Sequence, residues 1–201
     1  MEQEIYESTL EEVRNIIQRM KNGKAPGIDT ITVELIKSAG EKMEQKIYNL
    51  TRKIWEDEQM QMDWEEGIIY PIYKKGDRSV CSNYRGITLL NVTYKIFTSL
   101  LHNRLQKIAE REIGDYQAGF RTNRSTIDHI HTLSQKMEKN HEYKIELNEF
   151  IDFRQAFDTV YRSQMIETLQ LMEIPNKLIT LIKMTMQNRA VAETEHGRSE
   201  V

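Results

Sequence analysis

A carboxylate near the end of an alternating segment is the residue best placed for chemistry. Apolar and polar side chains alternate from Lys144 to Phe153, apart from a break at Glu149 and Phe150, which predicts a strand. Asp152 lies near the end of this strand, between apolar neighbours that fix the backbone. A carboxylate in this position can bind a divalent metal ion, as two-metal phosphoryl transfer requires. The alternative is a structural strand that ends in an acidic turn.

A helix is predicted after this strand, because apolar residues recur at helical spacing from Val160 to Met172. Asp158 and Thr159 precede it at positions that suit a helix cap. Six residues and a turn separate Asp158 from Asp152. We therefore expect Asp158 to cap the helix rather than to form a catalytic pair.

The positive charge of the chain is concentrated in its middle third. The net charge of the 201 residues is −3, but residues 71–125 contain 10 Lys and Arg against 4 Asp and Glu, a net of +6. Residues 1–70 contain 9 Lys and Arg against 15 Asp and Glu, and residues 126–201 contain 9 against 12. A basic segment of this kind attracts phosphates. For part of it the alternative is a solvated helix face, since Arg104, Lys107 and Arg111 lie at helical spacing.

Two short apolar segments in the basic third predict a β-hairpin. Residues 67–73 and 84–90 would be its arms, joined through a turn at Lys74–Asp77. Pro71 indicates an edge position or a bulge in the first arm. Lysine and arginine side chains on this hairpin could neutralise the phosphates of a nucleotide.

A polar, glycine-containing loop, Gln117–Thr126, follows an amphipathic helix that is predicted to begin at Asn91. Arg121 and Arg124 are three residues apart, and Phe120 lies beside the first. The two arginines could bind a nucleic-acid backbone, and Phe120 could stack on a base. Apolar periodicity predicts five further helices and a last strand: residues 10–20, 33–38, 43–54, 127–137 and 178–188, then 189–193.

Length and composition indicate a globular chain with one sizeable core or two lobes. No apolar run approaches the roughly 20 residues of a membrane span, so we expect no membrane partner. Cys81 is the single cysteine, which excludes an internal disulfide and favours an intracellular, reducing compartment.

The segment Phe150-x-Asp152-x-x-x-Ala156-Phe157-Asp158 resembles motif A of the reverse transcriptases of non-LTR (LINE-type) retrotransposons. Four upstream segments resemble other blocks of that family, in its order and at its approximate spacing. They are Ala25–Asp29, Lys74–Asp77, Asn83–Leu90 and Gln117–Thr126. Five ordered blocks cover nearly the whole chain.

The resemblance implies an RNA-directed DNA polymerase that works by two-metal nucleotidyl transfer. Asp152 would then be the catalytic residue and a ligand of Mg²⁺, with the backbone carbonyl of Phe153 as a further ligand. Phe157 would exclude a ribose 2′-hydroxyl and so select deoxynucleotides.

The resemblance also implies two groups of binding residues. Either Lys74 or Lys75, together with Arg85, would contact the triphosphate of the incoming nucleotide. The residues implied in template binding are Gln117, Arg121 and Arg124.

The implied fold is α+β, with reverse-transcriptase-like fingers and a partial palm, mostly helical, with the basic β-hairpin and the motif A strand. Residues 1–126 would form the fingers-like region with an N-terminal helical extension, and residues 127–201 the partial palm. Motif B and the Asp-Asp of motif C would follow Val201, and the sequence contains no Asp-Asp pair. We therefore expect a chain truncated before these motifs and inactive alone.

The implied partners are an RNA template, a DNA primer, deoxynucleoside triphosphates and the downstream palm and thumb segments of a parent polypeptide. Two other functions stay open. The chain could be a catalytically inactive nucleic-acid-binding remnant, in which the basic third keeps its role. It could also be a helical protein-interaction domain without a nucleic-acid role.

Overall fold

The computed structural model describes residues 5–145, 150–153, 156–187, 189–194 and 197–199. Within these ranges the chain is a mixed α+β structure with seven α-helices and one four-stranded sheet. The elements are α1 (Leu10–Arg19), α2 (Val33–Ser38), α3 (Glu41–Asp57), β1 (Glu66–Tyr73), β2 (Tyr84–Leu89), α4 (Val92–Glu112), α5 (Thr126–Tyr143), α6 (Arg162–Leu171), α7 (Asn176–Thr185), β3 (Arg189–Thr194) and β4 (Gly197–Arg198).

The helices predicted from apolar periodicity are confirmed, and local caps explain where several of them begin. At α1, Thr9 and Glu12 form a reciprocal capping box: the Thr9 amide donates to Glu12 Oε2 at 2.9 Å, and the Glu12 amide donates to Thr9 Oγ1 at 3.2 Å. Asn91 is the N-cap residue of α4, as predicted. No helix in the described ranges is long and apolar enough to cross a membrane.

The predicted hairpin is confirmed, and its first arm is the hydrogen-bonded neighbour of two strands. β1 pairs antiparallel with β2 and parallel with β3, in the sheet order β2-β1-β3-β4. β3 covers only Glu66–Ile69 of β1, whereas β2 extends along the strand to Tyr73. Pro71, opposite Gly86, therefore lies where one edge of β1 has no strand of the described residues beside it. This agrees with the edge position that proline indicated.

Two apolar clusters form the core around α4. In one, Val13 of α1 and Ile36 of α2 pack with Ile96 and their neighbours from α3 and α4. In the other, Phe97 of α4 packs with Leu178 of α7 and with α3, α6 and Trp64. Side chains from both sides of residue 126 share this second cluster. The division into residues 1–126 and 127–201 stays a prediction.

Helix α5 contributes little to this core. None of its residues is buried, and Ile127 and Ile130 on its apolar side are 71% and 62% exposed. Apolar periodicity thus predicted the helix correctly, although its apolar side has no cover within the described residues.

The strand predicted for Lys144–Phe153 is wrong in the part of that range that the structure describes. Helix α5 continues to Tyr143, Lys144 ends it in the left-handed conformation, and the Ile145 amide donates to Asn140 O at 2.9 Å. Residues 150–153 form no strand, and residues 146–149 lie outside the described ranges. Alternation stabilises a strand only where a neighbouring strand pairs its backbone and one face is covered. Among the residues that the structure describes, neither condition holds for residues 150–153.

The capping role predicted for Asp158 and Thr159 is also wrong, although the helix that follows them is confirmed. The N-cap residue of α6 is Tyr161, and no side chain caps this helix. Thr159 instead lies in the preceding turn, where its hydroxyl donates to Ala156 O at 3.2 Å. The predicted positions were two to three residues too early.

Candidate functional site

The tip of the β1–β2 hairpin, residues 74–83, and the adjoining β2 present four exposed cationic side chains. They are Lys74, Lys75, Arg78 and Arg85. Within the described part of the chain, none of the four forms an ion pair with an acidic side chain. The guanidinium carbon of Arg78 lies 5.2 Å from the centre of the Tyr73 ring, a cation–π contact. The hairpin therefore offers positive charge that no carboxylate of the described residues neutralises.

Asp77 is the one acidic residue of the tip, and its carboxylate is engaged within the tip. Oδ1 accepts hydrogen bonds from the backbone amide and the hydroxyl of Ser79, both at 2.8 Å. These bonds, the backbone one foremost, lower the pKa of the Asp77 carboxyl. Asp77 is thus a structural acid of the turn.

The register of the hairpin decides which side chains share a face. Arg85 is opposite Ile72, and Tyr84 is opposite Tyr73. Backbone pairing continues one residue beyond β1, because the Lys74 amide donates to Asn83 O at 2.9 Å. By strand alternation, Lys74 then lies on the face of Ile72 and Arg85, and the tyrosine pair lies on the opposite face.

Asp152 lies in an exposed, irregular segment rather than at the end of a strand. Its neighbours Ile151 and Phe153 are 71% and 74% exposed. No hydrogen bond or ion pair joins Asp152 to another described residue. The carboxylate is therefore available to an external ligand.

The donors present fit a divalent metal ion in type but supply few ligands. Mg²⁺ binds one or two carboxylates and completes its shell with phosphate and water oxygens, so Asp152 and the Phe153 carbonyl are chemically suitable. Across the described ranges, no three His, Cys, Asp or Glu side chains are grouped to hold a metal. One carboxylate does not hold two Mg²⁺ ions.

Phe157 lies against the Gln117–Thr126 loop. Its ring meets that of Phe120 edge to face, with 6.1 Å between the ring centres and 82° between the planes. Phe120 has a φ of 61°, in the left-handed region. Both rings remain largely exposed, at 77% for Phe157 and 92% for Phe120.

Arg121, predicted to bind template, holds its own loop together. Nε and Nη2 donate to Glu110 Oε1 at 2.9 and 2.6 Å, and Nη1 donates to the carbonyls of Gly114 and Gln117 at 2.8 and 3.2 Å. The Arg121 side chain is only 8% exposed. The hydrogen bonds that it donates to Glu110 raise the pKa of the Arg121 guanidinium. Its donors are thus occupied inside the protein.

The other two predicted template residues are more accessible. Arg124 Nη2 contacts Asp115 Oδ1 at 2.7 Å, and its side chain is 37% exposed. Gln117 is exposed and donates from Nε2 to Gly119 O at 3.1 Å. An exposed ion pair of this kind is weak and can open for a competing phosphate.

The structure thus brings the predicted residues together in two groups. The hairpin group contains Lys74, Lys75 and Arg85. The loop group contains Gln117, Arg121 and Arg124, with Phe157 packed on Phe120. No hydrogen bond, ion pair or ring contact within the described residues joins Asp152 to either group.

Three features of the hairpin did not emerge from the sequence. Arg78 was not among the predicted binding residues, and neither were Asn83 and Tyr84, which bond the tip. The available signal was the antiparallel pairing of the two predicted arms, whose facing ends are Tyr73 and Tyr84. The side-chain bonds to the tip depend on the fold of the turn, and no spacing rule predicts them.

Comparison with known proteins supports a family assignment. Residues 72–200 match the family described as reverse transcriptase (RNA-dependent DNA polymerase). The chain is 29% identical over 191 residues to the probable RNA-directed DNA polymerase from transposon X-element of Drosophila melanogaster, which covers 92% of this chain and 21% of that protein. It is 30% identical over 165 residues to the probable RNA-directed DNA polymerase from transposon BS of the same species, covering 80% and 18%.

A third relative is the RNA-directed DNA polymerase from mobile element jockey of Drosophila melanogaster, 27% identical over 187 residues, covering 90% of this chain and 20% of that protein. The chain spans about a fifth of the length of these relatives. The family match covers well over half of the chain and includes the end of β1, all of β2, the Gln117–Thr126 loop and Asp152. The chain therefore belongs to the reverse transcriptase family, as part of a reverse transcriptase domain of the non-LTR retrotransposon type.

Proposed function

We propose that this chain forms the nucleotide-binding fingers and the first part of the palm of an RNA-directed DNA polymerase. The observation that carries the proposal is the hairpin group of cations, which is exposed and has no acidic partner within the described residues. The family to which the chain belongs uses RNA templates and makes DNA. A triphosphate is the anion that such an enzyme must bind beside its template.

Lys74 and Arg85 are the pair that we assign to the triphosphate. Sequence reasoning left Lys74 and Lys75 as equal candidates. The bond from the Lys74 amide to Asn83 O continues the ladder and favours placing Lys74 on the face of Arg85, whereas Lys75 lies beyond the ladder. Two cations on one face can contact neighbouring phosphates, which stabilises charge that develops during transfer.

Asp152 is the carboxylate that we assign to Mg²⁺, with the Phe153 carbonyl beside it. Reverse transcriptases generally use a divalent metal ion, and bound Mg²⁺ would activate a primer 3′-hydroxyl and neutralise the leaving pyrophosphate. Asp152 would hold this charge at the site through its exposed carboxylate. With one such carboxylate and no Asp-Asp pair in the sequence, we expect no DNA synthesis by the 201-residue chain alone. The fivefold greater length of the relatives supports completion of the site by further segments of a parent polypeptide.

The Gln117–Thr126 loop is the region that we assign to the RNA template. Arg124 and Gln117 are placed to contact it directly, since both are exposed. Arg121 contributes mainly by fixing the loop, because its donors bind Glu110 and two loop carbonyls. Phe157, on the adjoining segment, would exclude the 2′-hydroxyl of a ribonucleotide.

Steady-state kinetics of a parent polypeptide that contains this chain would test the proposal. A charged hydrogen bond is worth about 1.5–3 kcal/mol, so Lys74→Ala or Arg85→Ala should raise the KM for deoxynucleotides about tenfold to a hundredfold. RNA-template affinity should stay within about twofold of the unsubstituted protein, since neither side chain is assigned a contact with the template. Arg52→Ala, which removes a surface cation of α3 paired with Glu56, is the matched control. An unchanged KM with weakened RNA binding would place the hairpin on the template instead.

A further inference from the structure

Three consecutive backbone carbonyls of the hairpin tip, residues 76–78, accept hydrogen bonds from side chains at its base. The hydroxyl of Tyr73 donates to the first. Asn83 Nδ2 donates to the second at 2.8 Å, and the hydroxyl of Tyr84 donates to the third at 2.9 Å. Each of these three carbonyls is thus bound by a side chain within the hairpin.

Asn83 is the centre of this arrangement. Besides its side-chain bond, its amide donates to Val80 O at 3.0 Å and its carbonyl accepts from the Lys74 amide at 2.9 Å. The turn is fitted closely around it: a Cβ on Gly76 would lie 2.7 Å from Asn83 Nδ2, and Gly76 has a φ of 94°. Only glycine fits this position without displacing Asn83.

The two tyrosine rings keep their hydroxyls in place. The rings of Tyr73 and Tyr84 pack edge to face with 5.6 Å between their centres, and Arg78 lies over the Tyr73 ring. Neither ring can therefore turn away without losing its contact with the other ring. The backbone that carries Lys74, Lys75 and Arg78 is held by the same set of contacts.

These contacts do not serve the core. No residue of the tip belongs to either apolar cluster, and residues 74–82 are all exposed. An exposed polar turn without such bonds is ordinarily mobile. Fixing it during folding removes the entropy that a ligand would otherwise have to overcome on binding, which raises affinity without a new contact.

We propose that Asn83 and the two tyrosines beside it are positioning residues for a polyphosphate ligand of Lys74 and Arg85. The inference rests on the proposed function, because a nucleoside triphosphate is the polyphosphate that a polymerase binds. The inference goes beyond the proposed function by assigning roles to residues that touch no phosphate themselves. They act by holding the cations of the tip in one arrangement.

Tripolyphosphate binding to the 201-residue chain, measured by calorimetry without metal, tests this inference. Tyr84→Phe removes one hydroxyl and keeps the ring, and Asn83→Ala removes one amide. Each should weaken tripolyphosphate binding about three- to tenfold, the equivalent of one hydrogen bond. Tyr70→Phe is the matched control, because the Tyr70 hydroxyl, in the neighbouring strand β1, makes no hydrogen bond within the described residues. It should bind within about twofold of the unsubstituted chain.

The ratio of tripolyphosphate to orthophosphate affinity separates positioning from general damage. A smaller folded fraction would weaken both ligands equally and leave the ratio unchanged. Loss of positioning should lower the ratio, because only the longer anion needs several cations at fixed places. We also expect faster amide exchange at Lys74 in Asn83→Ala, since its acceptor, Asn83 O, would no longer be fixed.

Charge variants make the two possible failures distinguishable. If Lys74→Ala and Arg85→Ala weaken tripolyphosphate binding but Tyr84→Phe and Asn83→Ala leave the ratio unchanged, the positioning role is overturned and the proposed function stands. If none of the four variants weakens tripolyphosphate binding, the tip binds no polyphosphate, and both the positioning role and the proposed function are overturned. If Tyr84→Phe and Asn83→Ala weaken binding of a single-stranded RNA but not of tripolyphosphate, the tip is a template site and the inference is overturned.

Discussion

The Phe157 ring packs edge to face on the Phe120 ring, 6.1 Å between centres, and this contact links the motif A segment to the Gln117–Thr126 loop. The two residues are 37 positions apart in the sequence. Both rings are mostly exposed, so each keeps a free face toward solvent. The residue assigned to sugar selection therefore lies beside the loop assigned to the template.

Phe157→Val in a polymerase that contains this chain should raise the ratio of ribonucleotide to deoxynucleotide incorporation. The smaller side chain leaves room for a 2′-hydroxyl, and we expect at least about a tenfold change, the scale of steric discrimination in such pockets. Competition between ribo- and deoxynucleotides in primer extension would measure it. Phe150→Val is a matched control, since Phe150 and Phe157 are both 77% exposed. An unchanged ratio would leave Phe157 with a packing role against Phe120 alone.

Gly27→Ala should destabilise the fold strongly, because the buried Gly27 lies against the start of α4. An added Cβ would lie 2.2 Å from Asn91 Oδ1 and 2.4 Å from the Asn91 backbone nitrogen. The backbone atom cannot move aside cheaply, so we expect a loss of about 3 kcal/mol in the free energy of unfolding, the upper part of the range for overpacking. Urea unfolding would measure the loss.

Gly119→Ala is the control for this effect. Its added Cβ would meet only Gln117 Nε2, at 3.5 Å, an ordinary contact. The free energy of unfolding should change by less than about 0.5 kcal/mol. Equal losses for the two variants would show that the close approach of Gly27 to Asn91 is relieved by local movement.

Arg121→Ala should lower the unfolding midpoint more than Arg124→Ala. Arg121 bonds Glu110 and two loop carbonyls and is nearly buried, whereas Arg124 has one exposed ion pair with Asp115. For the salt dependence of RNA binding we expect the opposite order, with the larger effect in Arg124→Ala. Arg124→Ala should flatten the slope of log affinity against log salt by roughly one unit, the loss of one phosphate contact.

Thermal unfolding and RNA titrations at several salt concentrations would measure both effects. Glu110→Gln serves as a second variant, because it weakens the Arg121 ion pair without removing a cation. It should lower the unfolding midpoint and leave the salt slope unchanged. A flatter slope in Arg121→Ala than in Arg124→Ala would mean that the Arg121 side chain leaves Glu110 to bind RNA.

The contrast between these arginines shows where sequence reasoning succeeded and where it could not. The helices and the hairpin follow from local periodicity, and β1 and β2 were predicted within a residue or two. The role of Arg121 depends on Glu110, eleven residues earlier on α4, and no local pattern reports that contact.

The segment around Asp152 marks the second limit. Alternation from Lys144 to Phe153 predicted a strand, but a strand also requires a partner for its backbone. Sequence alternation describes the segment alone, and the partner is a property of the fold. Asp152 itself could be identified by its motif, whereas its irregular, exposed setting could not.

Acidification should loosen the hairpin tip. The folded-state pKa of Asp77 is lowered by its bonds with Ser79, so its contribution to the order of the turn is complete above the ordinary aspartate pKa. It is lost as the pH falls through the lowered value. Amide exchange or NMR shifts of Ser79 should show this transition below the usual aspartate range. Asp77→Asn should remove the transition, and its persistence in that variant would assign it to another carboxyl.

Amide exchange should also rank the regions of the chain. We expect strong protection in α3 and α4, whose residues Ile54 and Ile96 are fully buried, and little in residues 150–153. These four residues make no backbone hydrogen bond of a strand within the described ranges. Protection there equal to that of α4 would reveal a partner for this segment, such as a second copy of the chain.

Primer extension with Asp152→Asn tests the central claim most directly. Asparagine keeps the shape of the side chain and removes the charge that Mg²⁺ needs, so folding should not change. A metal ion contributes several kcal/mol to phosphoryl transfer, and DNA synthesis by a parent polypeptide that contains this chain should fall about 100-fold or more. Asp158→Asn, a nearby exposed carboxylate with no assigned role, should retain near-normal synthesis. Near-normal primer extension by Asp152→Asn would contradict the assignment of this chain's carboxylate to the polymerase site.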